Sequence, residues 1–315
     1  MSFNKRSVKV FAPATVANVV CGYDVLGFAV NQPGDEVIMR FTEGKGITIS
    51  KITGDDGKLP LDPAKNTVSA SVQHYLDFIG KPDVGIDIEL HKKMPIGSGL
   101  GSSSASTVAG LFAVNTLFDN LLSNKALVPF AMKGEELACG YGHADNVAPA
   151  LMGGFVLIRS YEPLDIISLP FPDDMHAAIV YPEVDVPTKD ARQMIRSKVL
   201  LKDAVTQWGN VAGLVSGLFM KDYDLIGRSM TDILVEPTRS ILIPDFAKLK
   251  LLALQSGAVG FGISGSGPSV FALTKDADTA EKITKKLQQH LQSININSLS
   301  FVSEVNKKGP IILDL

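Results

Sequence analysis

The sequence predicts a two-domain α+β fold, on three observations. Its 315 residues exceed what a single core usually accommodates, so two units of about 150 residues are expected. Strand and helix patterns arrive in mixed order, without the strict alternation of a βαβ protein. A stretch at 161–174, rich in proline and acidic residues, offers the boundary and divides residues 1–165 from 166–315.

Taken in order, residues 8–12 read as a first strand and lead into a loop of small and polar residues at 13–27. Residues 36–41 and 46–52 look like paired strands around Glu43-Gly-Lys. Asn66 caps a helix that runs to about 78 and is ended by Gly80 and Pro82. Residues 84–90 alternate as a half-buried strand; a helix follows 101, another spans 124–138, and 155–158 is an apolar strand. Beyond the boundary, 176–181 is a strand, Thr188 caps a short helix, and two or three helices occupy 200–256. Residues 259–263 and 269–274 are strands meeting at a glycine turn, Asp276 caps a helix to about 290, and 294–302 is the last strand.

Composition narrows the class. Hydrophobic residues make up 45% and charged residues 20%, an ordinary globular balance. A formal charge of −3 gives no basic footprint for nucleic acid or an anionic membrane. Two cysteines, Cys21 and Cys139, are too few for a disulfide framework or a zinc site. No apolar signal segment opens the chain, and the apolar run 205–220 is interrupted by Gln207, Trp208 and Asn210. A cytoplasmic protein is expected.

The most informative stretch is Pro95-Ile-Gly97-Ser-Gly99-Leu-Gly101-Ser-Ser-Ser104, followed by a small-residue helical segment. Glycines remove side chains, so backbone N–H groups can converge on an anion at the positive end of the helix. It is not a P-loop, which needs Lys then Ser or Thr after its last glycine, and the spacing of Gly99 and Gly101 breaks the dinucleotide fingerprint. Taken alone, it also fits a ligand-free turn capped by Ser102.

Further clusters have two readings each. Glu135 and Glu136 fit a solvated helix face or a metal site; His143-Ala-Asp145-Asn146 fits structural hydrogen bonding or a polar pocket. Arg192 and Arg239, far apart in the chain, are by default surface residues in ion pairs. Asn18 and Asp24 fit turn chemistry, and Gly262-Ile-Ser-Gly-Ser-Gly-Pro-Ser269 fits a hairpin.

The combination resembles a family. Pro13-Ala-Thr-Val-Ala-Asn18 early, the glycine stretch in the middle and the late Gly-x-Ser-Gly-Ser-Gly-Pro-Ser resemble the GHMP small-molecule kinases over nearly the whole length. Tyr23-Asp-Val-Leu-Gly27, His143-Ala-Asp-Asn-Val-Ala-Pro149 and Thr188-Lys-Asp-Ala-Arg192 are similar to the homoserine kinase branch. The resemblance implies a domain like the second domain of ribosomal protein S5 followed by a ferredoxin-like domain, with the site between them. It implies ATP phosphates on Pro95 to Ser104 (Pro95, Ile96, Gly97, Ser98, Gly99, Leu100, Gly101, Ser102, Ser103, Ser104) and Mg²⁺ on Ser103 and Glu135. L-homoserine would have its carboxylate on Arg192 and Arg239, its ammonium on Asn18 and Asp24, and its hydroxyl near His143, Asp145 and Asn146. The product would be O-phospho-L-homoserine for threonine synthesis; Asp145 is the candidate base, and a homodimer is expected. One departure stands out: the family pattern Asn-Leu-Gly-Pro-Gly-Phe-Asp is here Asn18-Val-Val-Cys-Gly-Tyr-Asp24, so Cys21 could approach the pocket. The rival readings are another small-molecule kinase, such as a mevalonate-type enzyme, and a nucleotide-binding regulator without turnover.

Overall fold

In a computed structural model of the chain, residues 6–140, 142–184, 186 and 194–315 are described, with Ala138 and Cys139 as backbone only. The chain begins with two long antiparallel strands, β1 (Ser7–Ala17) and β2 (Leu26–Phe41). Both run well past the expected limits. The register shifts between Pro13 and Thr15, and Thr15 to Ala17 then pair with the start of β2, so half of the expected 13–27 loop is strand.

β3 (Ile47–Thr53) does not pair with β2 as the sequence suggests. After β3 comes α1 (Thr67–Phe78), and then β4 (Ile86–His91) inserts between β2 and β3, antiparallel to the first and parallel to the second. A parallel pair needs a crossover, and α1 supplies it. Asn66 caps α1 as expected, its side chain accepting from the Val68 N–H at 3.1 Å. α2 (Ser102–Leu117) and α4 (Ala144–Met152) pack on the sheet, while α1 and α3 (Asn124–Cys139) pack outside α2. Almost every residue of α2 is buried, which explains its small, apolar sequence.

β5 (Phe155–Tyr161) and β6 (Leu164–Leu169) extend the first sheet as a hairpin. A division at 165/166 therefore falls inside β6. Near the other end of the chain, β11 (Ile311–Leu313) returns to pair with β1. Between these lies a second, antiparallel sheet of β7 (His176–Pro182), β8 (Gly260–Ile263), β9 (Val270–Thr274) and β10 (Ser298–Glu304), in the order β10-β7-β9-β8. That is the ferredoxin-like arrangement. The helices α5 (Leu201–Met220), α6 (Tyr223–Ser229), α7 (Glu236–Arg239) and α8 (Phe246–Gln255) fall between β7 and β8, and α9 (Ala277–Ser293) precedes β10. Thr188 and its expected helix lie outside the described residues.

Strand alternation decides how the halves meet. Ala178, Val180, Val270 and Ala272 face α8 and α9, whereas Ala177, Ile179, Phe271 and Leu273 join the core of the first half. Phe271 meets Phe28 of β2 edge-on, with ring centroids 5.8 Å apart. The two sheets are thus joined through an apolar face.

The loop from 18 to 25 carries backbone strain. Asn18, Val19 and Val20 have φ of 71°, 41° and 64°, a region that β-branched residues avoid. The family pattern has glycine where Val20 stands. Val20 is buried and touches the position where Gly262 lacks a side chain. Removing it forfeits about 1.5–3 kcal/mol of burial, but relieves strain of about 1–3 kcal/mol. Val20→Gly is therefore expected to shift stability by no more than about 2 kcal/mol. Val16→Gly, in the unstrained and buried part of β1, should cost about 3 kcal/mol in urea unfolding at unchanged m.

Candidate active site

The glycine stretch links β4 to α2, and its three glycines serve different ends. All have φ between 65° and 80°. At Gly99 a Cβ would sit 2.5 Å from the Ser264 carbonyl oxygen, and at Gly101 it would sit 2.2 Å from Thr15 Oγ1. Both positions are closed by packing. At Gly97 a Cβ would meet nothing within 4 Å, so the tip of the bend faces open space.

Gly101, not Ser102, occupies the N-cap of α2, in the left-handed conformation. Ser102 is then the first helical residue, and its buried Oγ has no hydrogen-bond partner. Ser98 Oγ and Ser269 Oγ are likewise buried and unpartnered. The first-turn N–H groups of α2 have no intrahelical acceptor. Donors without acceptors therefore cluster around this bend.

The late glycine motif forms the β8–β9 turn and is pressed against the bend. Ser269 N–H donates to the Ser98 carbonyl at 3.1 Å, and Ser264 Oγ donates to the Gly99 carbonyl at 2.7 Å. The Gly265 carbonyl in turn accepts from Asn18 Nδ2 at 2.8 Å and Arg239 Nη1 at 3.0 Å. Composition suggested a hairpin or a site; the turn is both a hairpin and the joint of the site.

Behind the bend, the expected pair Ser103 and Glu135 is in contact. Ser103 Oγ donates to Glu135 Oε1 at 2.8 Å, and Ser104 Oγ and Thr107 Oγ1 add bonds of 3.1 and 3.2 Å. Glu136 points away, exposed and paired with Lys133. Burial raises the Glu135 pKa above the carboxylate range, only partly opposed by those three hydroxyls. A second buried cluster was missed from the sequence. Lys92 Nζ donates to Asp35, to the Ser102 carbonyl and to Ser106 Oγ, fixing the first turn of α2 from below. An isolated Lys92 beside a strand gives no signal in sequence; only the fold brings Asp35 to it.

Asn18 bridges two elements: its side chain also accepts the Asp24 N–H at 3.0 Å. His143 Nδ1 lies 3.9 Å from Asp24 Oδ1, and Tyr161 Oη donates to the Asp24 carbonyl. Asn146 accepts from Thr15 Oγ1 at 2.7 Å, beside Gly101. Asp145 is buried in the first turn of α4. Arg239 is 5% exposed, with its guanidinium 5.1 Å from the centre of the Tyr23 ring. Arg192 lies outside the described residues. Asn18, Tyr23, Glu236, Arg239 and Gly265 line one narrow cleft of about 20 Å³. A roomier cleft of about 380 Å³, at Tyr223, Arg228 and Lys275, lies at the far end of the β8–β9 hairpin. Cys21 does not line the cleft of Asn18 and Arg239; it is buried, and burial pushes its thiol pKa up to about 12.

The arrangement thus has an anion-receptive bend, a buried hydroxyl–carboxylate pair beside it suited to a hard cation, and an arginine-bearing cleft held by the same turn. Its sequence matches the GHMP kinase N-terminal domain over residues 66–154 and the GHMP kinase C-terminal domain over 213–293. The chain belongs to the GHMP kinase family. Among members of the family, it is 46% identical to a homoserine kinase of Chloroherpeton thalassium and 47% to one of Chlorobium phaeovibrioides, each spanning 98% of this chain and all of the relative. The crystal structure of a homoserine kinase from Cytophaga hutchinsonii matches with a TM-score of 0.96 and 57% identity, covering 99% of both chains. A Leishmania major mevalonate kinase shares this GHMP kinase fold at 15% identity, with a TM-score of 0.72.

Because Glu135 is protonated more readily in the folded than in the unfolded chain, its own contribution to folding stability is greatest below the ordinary carboxylate pKa and falls as pH rises through the raised value. Glu135→Gln keeps hydrogen-bonding capacity without the charge. The variant should therefore melt higher than the parent at pH 7–8 in the absence of nucleotide, and the difference should shrink on acidification to pH 4.

Proposed function

We propose that this chain is a homoserine kinase, transferring the γ-phosphoryl group of ATP to the side-chain hydroxyl of L-homoserine to give O-phospho-L-homoserine, a step in threonine biosynthesis. One observation carries the reading: the β8–β9 turn is bound on one side by the glycine bend and on the other by Asn18 and Arg239. A phosphate at the bend and a carboxylate at Arg239 are thereby held against the same short segment. The full-length similarity to homoserine kinases supports the choice of substrate.

In this mechanism the N–H groups of the bend and the first turn of α2 hold the ATP phosphates, with Ser98 and Ser102 as hydroxyl donors. Ser103 and Glu135, one hydroxyl and one carboxylate, would hold Mg²⁺, which would supply charge neutralisation for the phosphoryl transfer. Lys92 and Asp35 keep the first turn of α2 in place from the core side. Arg239, with Arg192, grips the amino acid carboxylate through the planar guanidinium fork. Asn18 fixes the turn, and Asn146 and His143 border the hydroxyl end.

The hydroxyl oxygen forms its bond to the γ-phosphorus as the bond to the β,γ-bridging oxygen breaks, and ADP leaves. Phosphoryl transfer depends mostly on positioning and charge neutralisation. The hydroxyl proton passes late, to the transferred phosphoryl group or to Asp145, and an Asp145→Asn variant separates the two.

A coupled ADP-release assay with Mg·ATP across L-homoserine, L-serine, L-threonine and mevalonate tests the reading. Homoserine-selective turnover is expected. Selectivity for mevalonate would make it a different small-molecule kinase, and no turnover with any of them would favour a regulator. Arg239→Ala should raise the KM for homoserine on the order of a hundredfold, as for a lost charge-assisted pair, while the KM for ATP changes little. Glu135→Gln should lose Mg²⁺-dependent ATP binding by about tenfold or more.

The homodimer expected of the family finds support in α5. Leu201, Val205, Trp208, Ala212, Val215 and Phe219 recur every three or four residues, and four of them are large and at least half exposed. With Val199, Leu200 and Met220 they expose several hundred Å² of apolar surface, in the range that marks an interface, whose standard size is about 800 Å² per partner. A stripe of this period is complementary to itself across a two-fold axis. Sedimentation should give a dimer, and Trp208→Glu a monomer.

A further inference from the structure

We infer that Tyr161 is a positioning residue for the amino acid substrate: its hydroxyl fixes the backbone of Asp24, and through it the carboxylate that meets the substrate's ammonium. The inference rests on the homoserine kinase reading, in which Asp24 serves the ammonium, and adds to it a residue that none of the sequence motifs contains.

Asp24 is a residue that needs holding. It stands in the loop between β1 and β2 with a φ of 59°, in the left-handed region that a side chain disfavours. Its carboxylate is 27% exposed, within reach of a ligand, and Oδ1 lies 3.9 Å from His143 Nδ1. The direction of its Cα–Cβ bond follows from the two peptide groups on either side, and a side chain fixes each of them. On one side the Asp24 N–H donates to Asn18 Oδ1 at 3.0 Å. On the other the Asp24 carbonyl accepts from Tyr161 Oη at 2.8 Å, across 137 residues of chain. Neither bond can be reversed, since a backbone N–H only donates and a carbonyl only accepts.

The fold brings Tyr161 to this place through β5, of which it is the last residue. β5 already carries the return of the loop: Leu157 pairs with Leu26, and the Ile158 N–H donates to the Val25 carbonyl at 2.8 Å. Tyr161 extends that support one residue back, from Val25 to Asp24. Its bond also completes a string across the site. The Gly265 carbonyl accepts from Asn18 Nδ2, Asn18 Oδ1 accepts from Asp24, and Asp24 accepts from Tyr161. The β8–β9 turn, the first loop and the β5–β6 hairpin are thereby held in one register. A tyrosine that is 36% exposed could give its hydroxyl to water, yet this one gives it to the backbone of a site residue. Without that hydroxyl the Asp24–Val25 peptide loses a fixed point, and the carboxylate must be ordered at the moment of binding.

The test is Tyr161→Phe, which keeps the ring and removes the hydroxyl, in a double-mutant cycle with Asp24→Asn. With the parent Asp24, the KM for L-homoserine should rise about fivefold, the loss of one neutral hydrogen bond. Its kcat and the KM for ATP should stay within about twofold, as expected when binding and not the chemical step is affected. In Asp24→Asn the same change should lower kcat/KM for homoserine, taken from initial rates at low substrate, by less than about twofold, because the charge that Tyr161 positions is gone. A hydroxyl that serves stability alone would give equal losses in both backgrounds. An unchanged homoserine KM, equal losses with and without the Asp24 charge, or a parallel rise in the KM for ATP would overturn the inference while leaving the kinase reading intact. A parent that does not phosphorylate homoserine removes that reading, and the inference with it.

Discussion

Everything in the site depends on the contact between two glycine turns that belong to different sheets. Ser264 Oγ and the Ser269 N–H reach backbone carbonyls of the bend, and the approach is so close that a methyl group at Gly99 would overlap the Ser264 oxygen. Side chains would hold the two segments further apart and let them slide. Backbone against backbone fixes both the spacing and the register. Because the same turn offers its Gly265 carbonyl to Asn18 and Arg239, the proposed amino acid side is located relative to the proposed phosphate side by a few short hydrogen bonds.

That contact would mean little if the halves rocked against each other. The second sheet prevents it by being apolar on both faces: one set of alternating residues serves its own helices, the other joins the core around Phe28 and Phe155. β11 returns to β1 and ties the end of the chain back into the first sheet. Accordingly, the site sits at a shared core. The strain at Val19 and Val20 is tolerated for the same reason, since surroundings that are buried and bonded on all sides over-determine the loop.

Much of this was legible in the sequence, and the misses have physical causes. Local signals worked where they are local: Asn66 and Asp276 cap helices, and the alternation of 84–90 marks a strand. Glycine spacing marked the bend, and the family resemblance named Glu135 and not Glu136; the structure buries the first and exposes the second. What failed was non-local. No feature of 36–52 reveals that a strand from forty residues later will slide between β2 and β3, and the short apolar run Ile311–Leu313 reads as a tail until β1 is there to pair with it. Lys92, Asp35, Asp232 and Glu236 look like ordinary charged residues, because burial and partners belong to the fold and not to the neighbourhood in sequence.

The buried charges separate by how completely the protein answers them. Lys92 has three donors and uses all three, on Asp35, a carbonyl and a hydroxyl; Asp35 also takes the Lys93 N–H. Such a pair is finished, and its work is to hold α2 in place. Glu135 is different: three neutral hydroxyls donate to it, but among the described residues no cation pairs with it, and burial lifts its pKa. Glu236 is answered on one oxygen only. An acid that the fold buries without full compensation keeps an affinity for positive charge that bulk water would have quenched. Glu135 is also the acid proposed to hold the metal beside the phosphates. In the protein without ligands its burial lowers stability at neutral pH, and the same free energy is available to bind a cation.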